Sequence, residues 1–107
     1  MSVTITVIVE DSSIEGSGLR GELGLSLLIK TRSGCLNKNI LFDTGPSKEG
    51  LLHNMTKLEI DPASISSVVI SHGHYDHAGG LLALKGFLGS IPLYAHSDIA
   101  LESWVIH

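Results

Sequence analysis

A cluster of histidines in the second half of the sequence contains the residue types that most directly predict chemistry. Residues 71–80 read Ser-His-Gly-His-Tyr-Asp-His-Ala-Gly-Gly, so three histidines and one aspartate lie within six residues. Neutral imidazole nitrogens and carboxylate oxygens are both ligands for divalent metal ions. A solvated histidine-rich loop or a tag is the simpler alternative. However, the cluster is internal, contains Asp and Gly, and lies between apolar segments.

The spacing of these residues favours two metal positions. His72 and His74 are two residues apart, so in an extended segment they point the same way and can share one metal ion. Asp76 and His77 are adjacent and diverge, which suits a second ion better. Two ions about 3.5–4 Å apart can hold a bridging oxygen and a substrate oxygen together. Zinc is the default metal for ligands rich in histidine, and Mn and Fe stay open.

The segments on either side of the cluster predict the elements that hold it. Residues 65–70 are short, apolar and β-branched, which indicates a buried strand. Residues 79–88 carry apolar side chains at helical spacing. The cluster is therefore predicted to lie where a strand ends and a helix begins. In open α/β sheets, ligands bind beyond the carboxyl ends of the strands.

The rest of the sequence predicts alternating strands and helices. Strands are predicted at 3–9, 25–30, 40–42 and 91–95, and helices at 48–58 and after Ser97 or Asp98 toward the C-terminus. Ser33-Gly34 and the polar run 37–39 predict the turn of a hairpin. Asp61 is predicted to cap a short turn that has Pro62 at its first position.

Two motifs resemble a known family. His72-x-His74-x-Asp76-His77, followed by Ala-Gly-Gly-Leu, resembles the signature of the metallo-β-lactamase superfamily, and residues 39–45 resemble that family's strand and Asp-x-Gly turn. The resemblance implies an α/β fold that is the N-terminal half of an αββα sandwich, with a mixed sheet and flanking helices. Residues 1–107 would then form a single domain that is truncated, because complete family members are considerably longer.

The resemblance also implies a reaction. By this resemblance, the chain is similar to metal-dependent hydrolases. In these enzymes the pKa of metal-bound water is lowered toward about 7, and the resulting hydroxide attacks an ester or phosphoester. His72 and His74 would hold the first metal, and Asp76 and His77 the second. Asp76 would also orient the attacking hydroxide or accept its proton. A non-catalytic chain that binds metal weakly, or serves only in assembly, is the alternative from another functional class.

Within the superfamily, one subgroup is most similar. Residues 41–46, 54–55 and 71–77 resemble proteins like the dihydropterin–ribofuranosylaminobenzene 5′-phosphate synthases. That resemblance implies a condensation at a pterin methylene, with the metal positioning a phosphate. The subgroup often has an acidic-His-Gly-x-Ser run, whereas this sequence has Leu23 in place of the histidine. Leucine can neither coordinate a metal nor donate a hydrogen bond.

Asp43 has three interpretations. In the resembled family, this aspartate lies beneath the metal site and braces the ligand loop, as carboxylates that orient metal-bound histidines do. It is otherwise a turn residue bonded to its own backbone. Thirdly, residues 42–45 resemble the catalytic turn of an aspartic protease, in which two subunits each contribute one Asp. The protease interpretation expects a nearly all-β chain and leaves the histidines without a role.

Two further residues are candidates for substrate contact. His96 follows the strand predicted at 91–95, so it would line the mouth of the site or else be a half-exposed structural histidine. Tyr75 lies between predicted ligands and is either a rim residue or a substrate contact. Beyond the four motif ligands, a two-metal site needs further ligands, since a catalytic zinc typically has three protein ligands. We therefore do not expect this chain alone to complete a dinuclear site.

Composition limits the class of protein. The 107 residues suffice for one small domain. The mean hydropathy of +0.30 is high, so we expect self-association or a missing C-terminal half to cover apolar surface. The expected substrate is a small molecule. The net charge of −4 argues against nucleic acid. No apolar run predicts a membrane segment, no secretory signal is apparent, and Cys35 is the single cysteine, so the cytoplasm is expected.

Overall fold

The structure is a computed structural model that describes residues 1–12, 15–71, 79–80 and 91–95. Its strands are β1 (Ser2–Val9), β2 (Ser26–Ser33), β3 (Leu36–Phe42), β4 (Ser67–Ile70) and β5 (Leu93–Ala95), and its helices are α1 (Lys48–Lys57) and a 3-10 turn (Pro62–Ser64). These elements confirm the predicted strands and the first predicted helix. The helices predicted over 79–88 and toward residue 107 lie outside the described residues, apart from Gly79 and Gly80.

Within the described residues, the strands form one mixed sheet in the order β1-β2-β3-β4-β5. Strands β1, β2 and β3 pair antiparallel, whereas β4 pairs parallel with both β3 and β5. Phe42 lies opposite Val69, and Ile70 lies opposite Ala95. Because parallel strands end at the same edge of a sheet, the segments that follow β3, β4 and β5 begin side by side.

The hairpin between β2 and β3 is tighter than predicted. Asn37, Lys38 and Asn39 were expected in its turn, but they lie in β3 and pair with Arg32, Thr31 and Lys30. The turn consists of Gly34 and Cys35, and Gly34 has a positive φ of 62°. A two-residue turn with a glycine at positive φ suits a hairpin. A strand can accommodate this polar run because Asn37 and Lys38 are exposed.

One face of the sheet carries the core. The buried side chains come from all the strands except β5, from α1 and from the segment before β4: Ile8, Val9, Leu28, Leu41, Leu51, Met55, Ile65, Val68 and Ile70. Helix α1 begins at the N-cap Ser47, whose Oγ accepts from the N–H of Gly50 at 3.0 Å. Asp61 caps the 3-10 turn as predicted, accepting from the N–H of Ala63 at 2.9 Å.

The opposite face of the sheet is apolar and open to solvent in the described part of the chain. Val3, Ile5 and Val7 on β1 are 52%, 60% and 45% exposed. Their cross-strand neighbours on this face include Ile29 and Leu27 of β2, which are half-buried. We call this surface the open face. None of the helices among the described residues has the length and apolar character needed to cross a bilayer.

Candidate functional site

The site is organised by Asp43, the first residue after β3. Its side chain is fully buried, and its φ of 58° lies in the left-handed region. Asp tolerates that conformation better than most residues, although it remains uncommon outside glycine. Such backbone conformations persist where the surroundings fix them, and they cluster at functional sites.

The carboxylate of Asp43 binds the residue that precedes the histidine cluster. Its Oδ1 accepts from the backbone N–H of Ser71 at 2.7 Å, and its Oδ2 accepts from the Ser71 hydroxyl at 2.6 Å. Hydrogen bonds to a carboxylate are stronger than those between neutral groups. These two bonds cross 28 positions of sequence, so the carboxylate does not serve its own turn alone. The geometry fits the bracing interpretation, and a role toward metal ligands stays a prediction.

The backbone of this turn is tied to two strands. The N–H of Asp43 donates to the carbonyl of Val69 at 2.8 Å, which extends the β3–β4 pairing by one residue. The hydroxyl of Ser26 donates to the carbonyl of Asp43 at 2.8 Å. The N–H of Gly45 donates to the carbonyl of Leu25 at 2.8 Å. The turn is therefore fixed from both sides before any ligand is considered.

The far end of the histidine loop rests on the same turn. The N–H of Gly80 donates to the carbonyl of Gly45 at 2.9 Å. A Cβ at Gly80 would overlap the carbonyl oxygen of Thr44, and one at Gly79 would overlap that of Pro46. Only glycine allows so close a backbone approach. Residues 43–46, which we call the bracing turn, thus contact Ser71 before the loop and the glycine pair after it.

The predicted metal ligands belong to the segment of sequence between those two anchors. His72, His74, Asp76, His77 and the candidate Tyr75 all fall in 72–78, outside the described residues. Accordingly, the described residues alone contain no group of three potential ligands. The donor set itself, three imidazoles and a carboxylate, suits a divalent ion.

The other candidate for substrate contact is also outside the described residues. His96 directly follows β5, which ends at Ala95 opposite Ile70 of β4. Strand β5, which precedes it in sequence, ends at the same edge of the sheet as the bracing turn. Both roles of His96, contact with the substrate and a structural role, stay predictions.

A second carboxylate, that of Glu22, binds the residue that directly follows the bracing turn. The Ser47 hydroxyl donates to Glu22 Oε1 at 2.7 Å, and a Cβ at Gly50 would overlap the Glu22 carboxylate. Arg20 lies 3.3 Å from the same carboxylate. Glu22 therefore holds the start of α1 immediately after the bracing turn. The neighbouring Leu23 is 67% exposed, so the position where the subgroup often has histidine contributes no polar contact.

Asn54 ties the segment before β2 to α1. Its buried amide nitrogen donates to the carbonyls of Ile8 at 2.8 Å and Arg20 at 2.9 Å, and its Oδ1 accepts from the N–H of Arg20 at 2.7 Å. His53 adds a contact of 2.6 Å between its Nε2 and the carbonyl of Gly18. No local sequence pattern marks these roles of Asn54, Glu22 and Ser71, because their partners lie far away in sequence.

Comparison with known proteins gives a family and several similar relatives, one of which aligns with most of this chain. The family model described as the metallo-beta-lactamase superfamily matches residues 19–104. The chain is 39% identical over 99 residues to the 7,8-dihydropterin-6-methyl-4-(beta-D-ribofuranosyl)-aminobenzene-5'-phosphate synthase of Methanocaldococcus jannaschii. That alignment covers 92% of this chain and 34% of the relative, so the chain spans about a third of the relative's length.

Solved structures share the fold, and two of them show how much of it this chain covers. The metallo-β-lactamase MIM-1 from Novosphingobium pentaromativorans superposes with a TM-score of 0.57 at 30% identity, over 76% of this chain and 29% of that one. A putative metallo-β-lactamase from Thermotoga maritima gives a TM-score of 0.59 at 18% identity, over 95% of this chain and 45% of that one. The second similarity concerns the fold alone.

Proposed function

The chain belongs to the metallo-β-lactamase superfamily and has the fold of the N-terminal half of that domain, and we propose that it forms the metal-binding half of a metal-dependent enzyme. The observation that carries the proposal is the bracing turn. It fixes both ends of a short loop, and that loop holds three histidines and an aspartate. Fixed loop ends reduce the freedom that a metal site must otherwise remove on binding.

In this proposal each residue has a distinct task. His72 and His74 would hold one divalent ion, Asp76 and His77 would hold the second, and Asp43 positions the segment through Ser71. Such ions, Zn by default, would supply a lowered pKa for bound water and an electrophile toward the substrate. Asp76 also orients the attacking group or accepts its proton. Asp43 acts on the ligands through the chain at Ser71 and needs no contact with substrate.

The first candidate reaction is hydrolysis of an ester or phosphoester. It is supported by membership of a superfamily in which the similar solved structures include β-lactamases. Water is the nucleophile in this reaction, and the negative charge that develops on the substrate is matched by the cations of the site. The substrate itself depends on surfaces beyond this chain, which spans 29% of the MIM-1 chain.

The second candidate is a synthase-type condensation on a phosphorylated substrate. The observation that favours it is the 39% identity to the archaeal synthase across 92% of this chain. In this case the metal site would bind the phosphate of one substrate rather than activate water for hydrolysis. The exposed Leu23 then marks a difference from that subgroup at a position where a histidine is frequent.

A panel of substrates separates the two candidates. Phosphodiesters, thioesters, lactams and phosphorylated pterins are assayed with Zn²⁺ or Mn²⁺, using the longest polypeptide that contains residues 1–107. We expect turnover of one class and its loss in the double variant His72→Ala/His74→Ala. Turnover that survives in the double variant at the wild-type rate would contradict the proposal. A non-catalytic chain would bind metal and turn over nothing.

The open face is proposed to pack against the remainder of the family's fold. It is apolar on β1 and β2, and large apolar patches mark interfaces. The chain spans 45% of the Thermotoga maritima structure, so more than half of that fold has no counterpart here. We expect this chain alone to bind a hydrophobic dye, and Ile5→Lys to weaken dye binding. A dimer that Ile5→Lys dissociates would instead assign the face to a second copy.

A further inference from the structure

A half-open cavity of about 400 Å³ lies at the hairpin end of the sheet, away from the bracing turn. Its lining comes from three adjacent strands: Ser2, Thr4, Lys30, Thr31, Arg32, Asn37 and Asn39. The volume falls within the range of small-molecule sites. Asn39 is four residues before Asp43, so along the strand the nearest part of the cavity is about 13 Å from the bracing turn. A ligand here would not occupy the predicted metal site.

The sheet register builds the cavity from two rows of side chains. Thr4, Lys30 and Asn39 are directly opposite one another on β1, β2 and β3. Residues directly opposite one another project from the same face of a sheet. This row therefore presents a cation between a hydroxyl and an amide. The Asn39 amide nitrogen donates one N–H to the carbonyl of Ser64 at 3.0 Å, which leaves its second N–H for a ligand.

The second row repeats the first two positions along each strand. Ser2, Arg32 and Asn37 are directly opposite one another and share the face of the first row. Arg32 Nε donates to Asn37 Oδ1 at 3.2 Å. That bond uses one edge of the guanidinium and leaves its terminal N–H groups for another acceptor. The two cationic side chains are about 7 Å apart along β2 at their Cα atoms.

The chemistry of the lining is one-sided. Every residue in it has a side chain that can donate a hydrogen bond, and none is a carboxylate, although the chain has 11 acidic and 7 basic residues. The salt bridge found among the described residues joins Arg20 to Glu22 and involves neither Lys30 nor Arg32. Donors without matching acids favour a ligand that brings its own negative charge and oxygen acceptors.

From this arrangement we propose that the cavity binds a phosphorylated sugar or polyol. Lys30 and Arg32 contact the phosphate, and the hydroxyl and amide side chains of the two rows bind the ligand's hydroxyl groups. The lining includes none of the predicted metal ligands, and the proposal does not depend on the reaction proposed above. Its place on β2 and β3, the strands that lead to Ser26 and Asp43, connects it to the bracing turn through the sheet.

The test is a titration followed by ¹⁵N NMR at 0.15 M salt, where distant charges are largely screened. The probes are glucose 6-phosphate, inorganic phosphate and glucose. We expect glucose 6-phosphate to bind most tightly and glucose not to bind. Shifted signals should map to the lining residues. His72→Ala/His74→Ala should bind the probe as the wild type does, which separates this site from the metal loop.

Charge variants decide whether the lining is responsible. Lys30→Gln and Arg32→Gln should each weaken glucose 6-phosphate binding about tenfold, the effect of losing one charge-assisted hydrogen bond. Lys38→Gln is the matched control. Lys38 lies on β3 opposite Thr31 of β2, and it is not one of the residues that line the cavity. It removes the same charge and should change affinity less than about twofold. Equal effects of all three variants, or no binding of glucose 6-phosphate by the folded wild type, would overturn the proposal.

Discussion

The two ends of strands β2 and β3 differ in how tightly their surroundings fix them. At the end of the bracing turn, Ser26, Asp43 and Thr44 are fully buried, and backbones approach so closely that Gly80 has no room for a Cβ. At the hairpin end, Gly34 has open space around it, and Lys30 and Arg32 are exposed. The same two strands thus support a rigid end that positions a loop and a solvated end that is open to ligands.

The difference shows where this small sheet uses its buried polar groups. A buried polar group is costly unless its hydrogen bonds are satisfied. The carboxylate of Asp43 accepts twice from Ser71, while the backbone carbonyl of Asp43 accepts from Ser26. Such groups restrict the chain to one geometry, which is what a metal loop needs. At the hairpin end, Lys30, Arg32 and Asn37 are exposed, so solvent can bind the polar atoms that the Arg32–Asn37 hydrogen bond does not use.

The largest expected contrast is between two glycines. Gly80→Ala places a Cβ against the Thr44 carbonyl oxygen, so either the bracing turn or the loop end must move. We expect a loss of about 3 kcal/mol in the free energy of unfolding. Gly34→Ala is the control, because that site has space and only its positive φ of 62° opposes alanine. It should cost about 1 kcal/mol in the same urea denaturation experiment.

Similar losses in the free energy of unfolding at the two glycines would contradict the claim that the bracing turn is the more closely packed end of β2 and β3. Circular dichroism of each variant before denaturation establishes that a folded state is being compared.

Asp43→Asn tests the carboxylate without changing its shape. Asn accepts the left-handed backbone, but its NH₂ group cannot accept from Ser71. We expect the fold to remain and metal affinity to fall about 10–100-fold, as when a group that orients metal ligands is lost. Asp61→Asn is the matched control, because Asp61 caps the 3-10 turn and is exposed. Competition with a chromogenic zinc chelator measures both.

A metal affinity that is unchanged in Asp43→Asn would return Asp43 to the role of a turn residue. Cleavage of peptides by the wild type with loss in Asp43→Asn and resistance to chelators would instead support the protease interpretation.

Ser71→Ala should have a smaller effect of the same kind. It removes the hydroxyl that donates to Asp43 Oδ2 and leaves the backbone N–H on Oδ1. One of the two bonds from Ser71 to the carboxylate remains, so we expect metal affinity to fall about fivefold, which corresponds to roughly 1 kcal/mol. A loss larger than that of Asp43→Asn would mean that Ser71 acts on the loop independently of Asp43.

The smallest effect is expected at the hairpin end. Arg32→Ala removes the exposed bond from Nε to Asn37 Oδ1. Because both partners are exposed, the free energy of unfolding should change by no more than about 0.5 kcal/mol. Thermal unfolding followed by circular dichroism checks this value. A cost comparable to that of Gly80→Ala would show that the two ends are equally constrained.

Local sequence signals predicted most of the elements. The apolar spacing of Leu51, Leu52, Met55 and Leu58 indicated α1, and the structure confirms this helix as Lys48–Lys57. The run of β-branched residues at 3–9 indicated β1, observed as Ser2–Val9. The mixed sheet and its family were predicted from the motifs around Asp43 and His72. Short-range patterns suffice for these features because propensity and periodicity are local properties.

Local sequence signals did not predict the hydrogen bonds between residues that are far apart in sequence. The bonds from Ser71 to Asp43 and from Ser47 to Glu22 join residues 28 and 25 positions apart, and no periodicity marks such partners. The polar run 37–39 was assigned to a turn because Asn is frequent in turns, whereas the pairing with β2 placed it in β3. Chain composition likewise did not reveal that Lys30 and Arg32 share a cavity.

The most direct test of the central claim, that the loop fixed by the bracing turn holds divalent metal, is the metal content of purified protein. The wild type and His72→Ala/His74→Ala are saturated with Zn²⁺, dialysed against metal-free buffer and analysed by inductively coupled plasma mass spectrometry. We predict that the wild type retains zinc and that the double variant, with an unchanged circular dichroism spectrum, loses it. Equal zinc content in the two proteins would contradict the account.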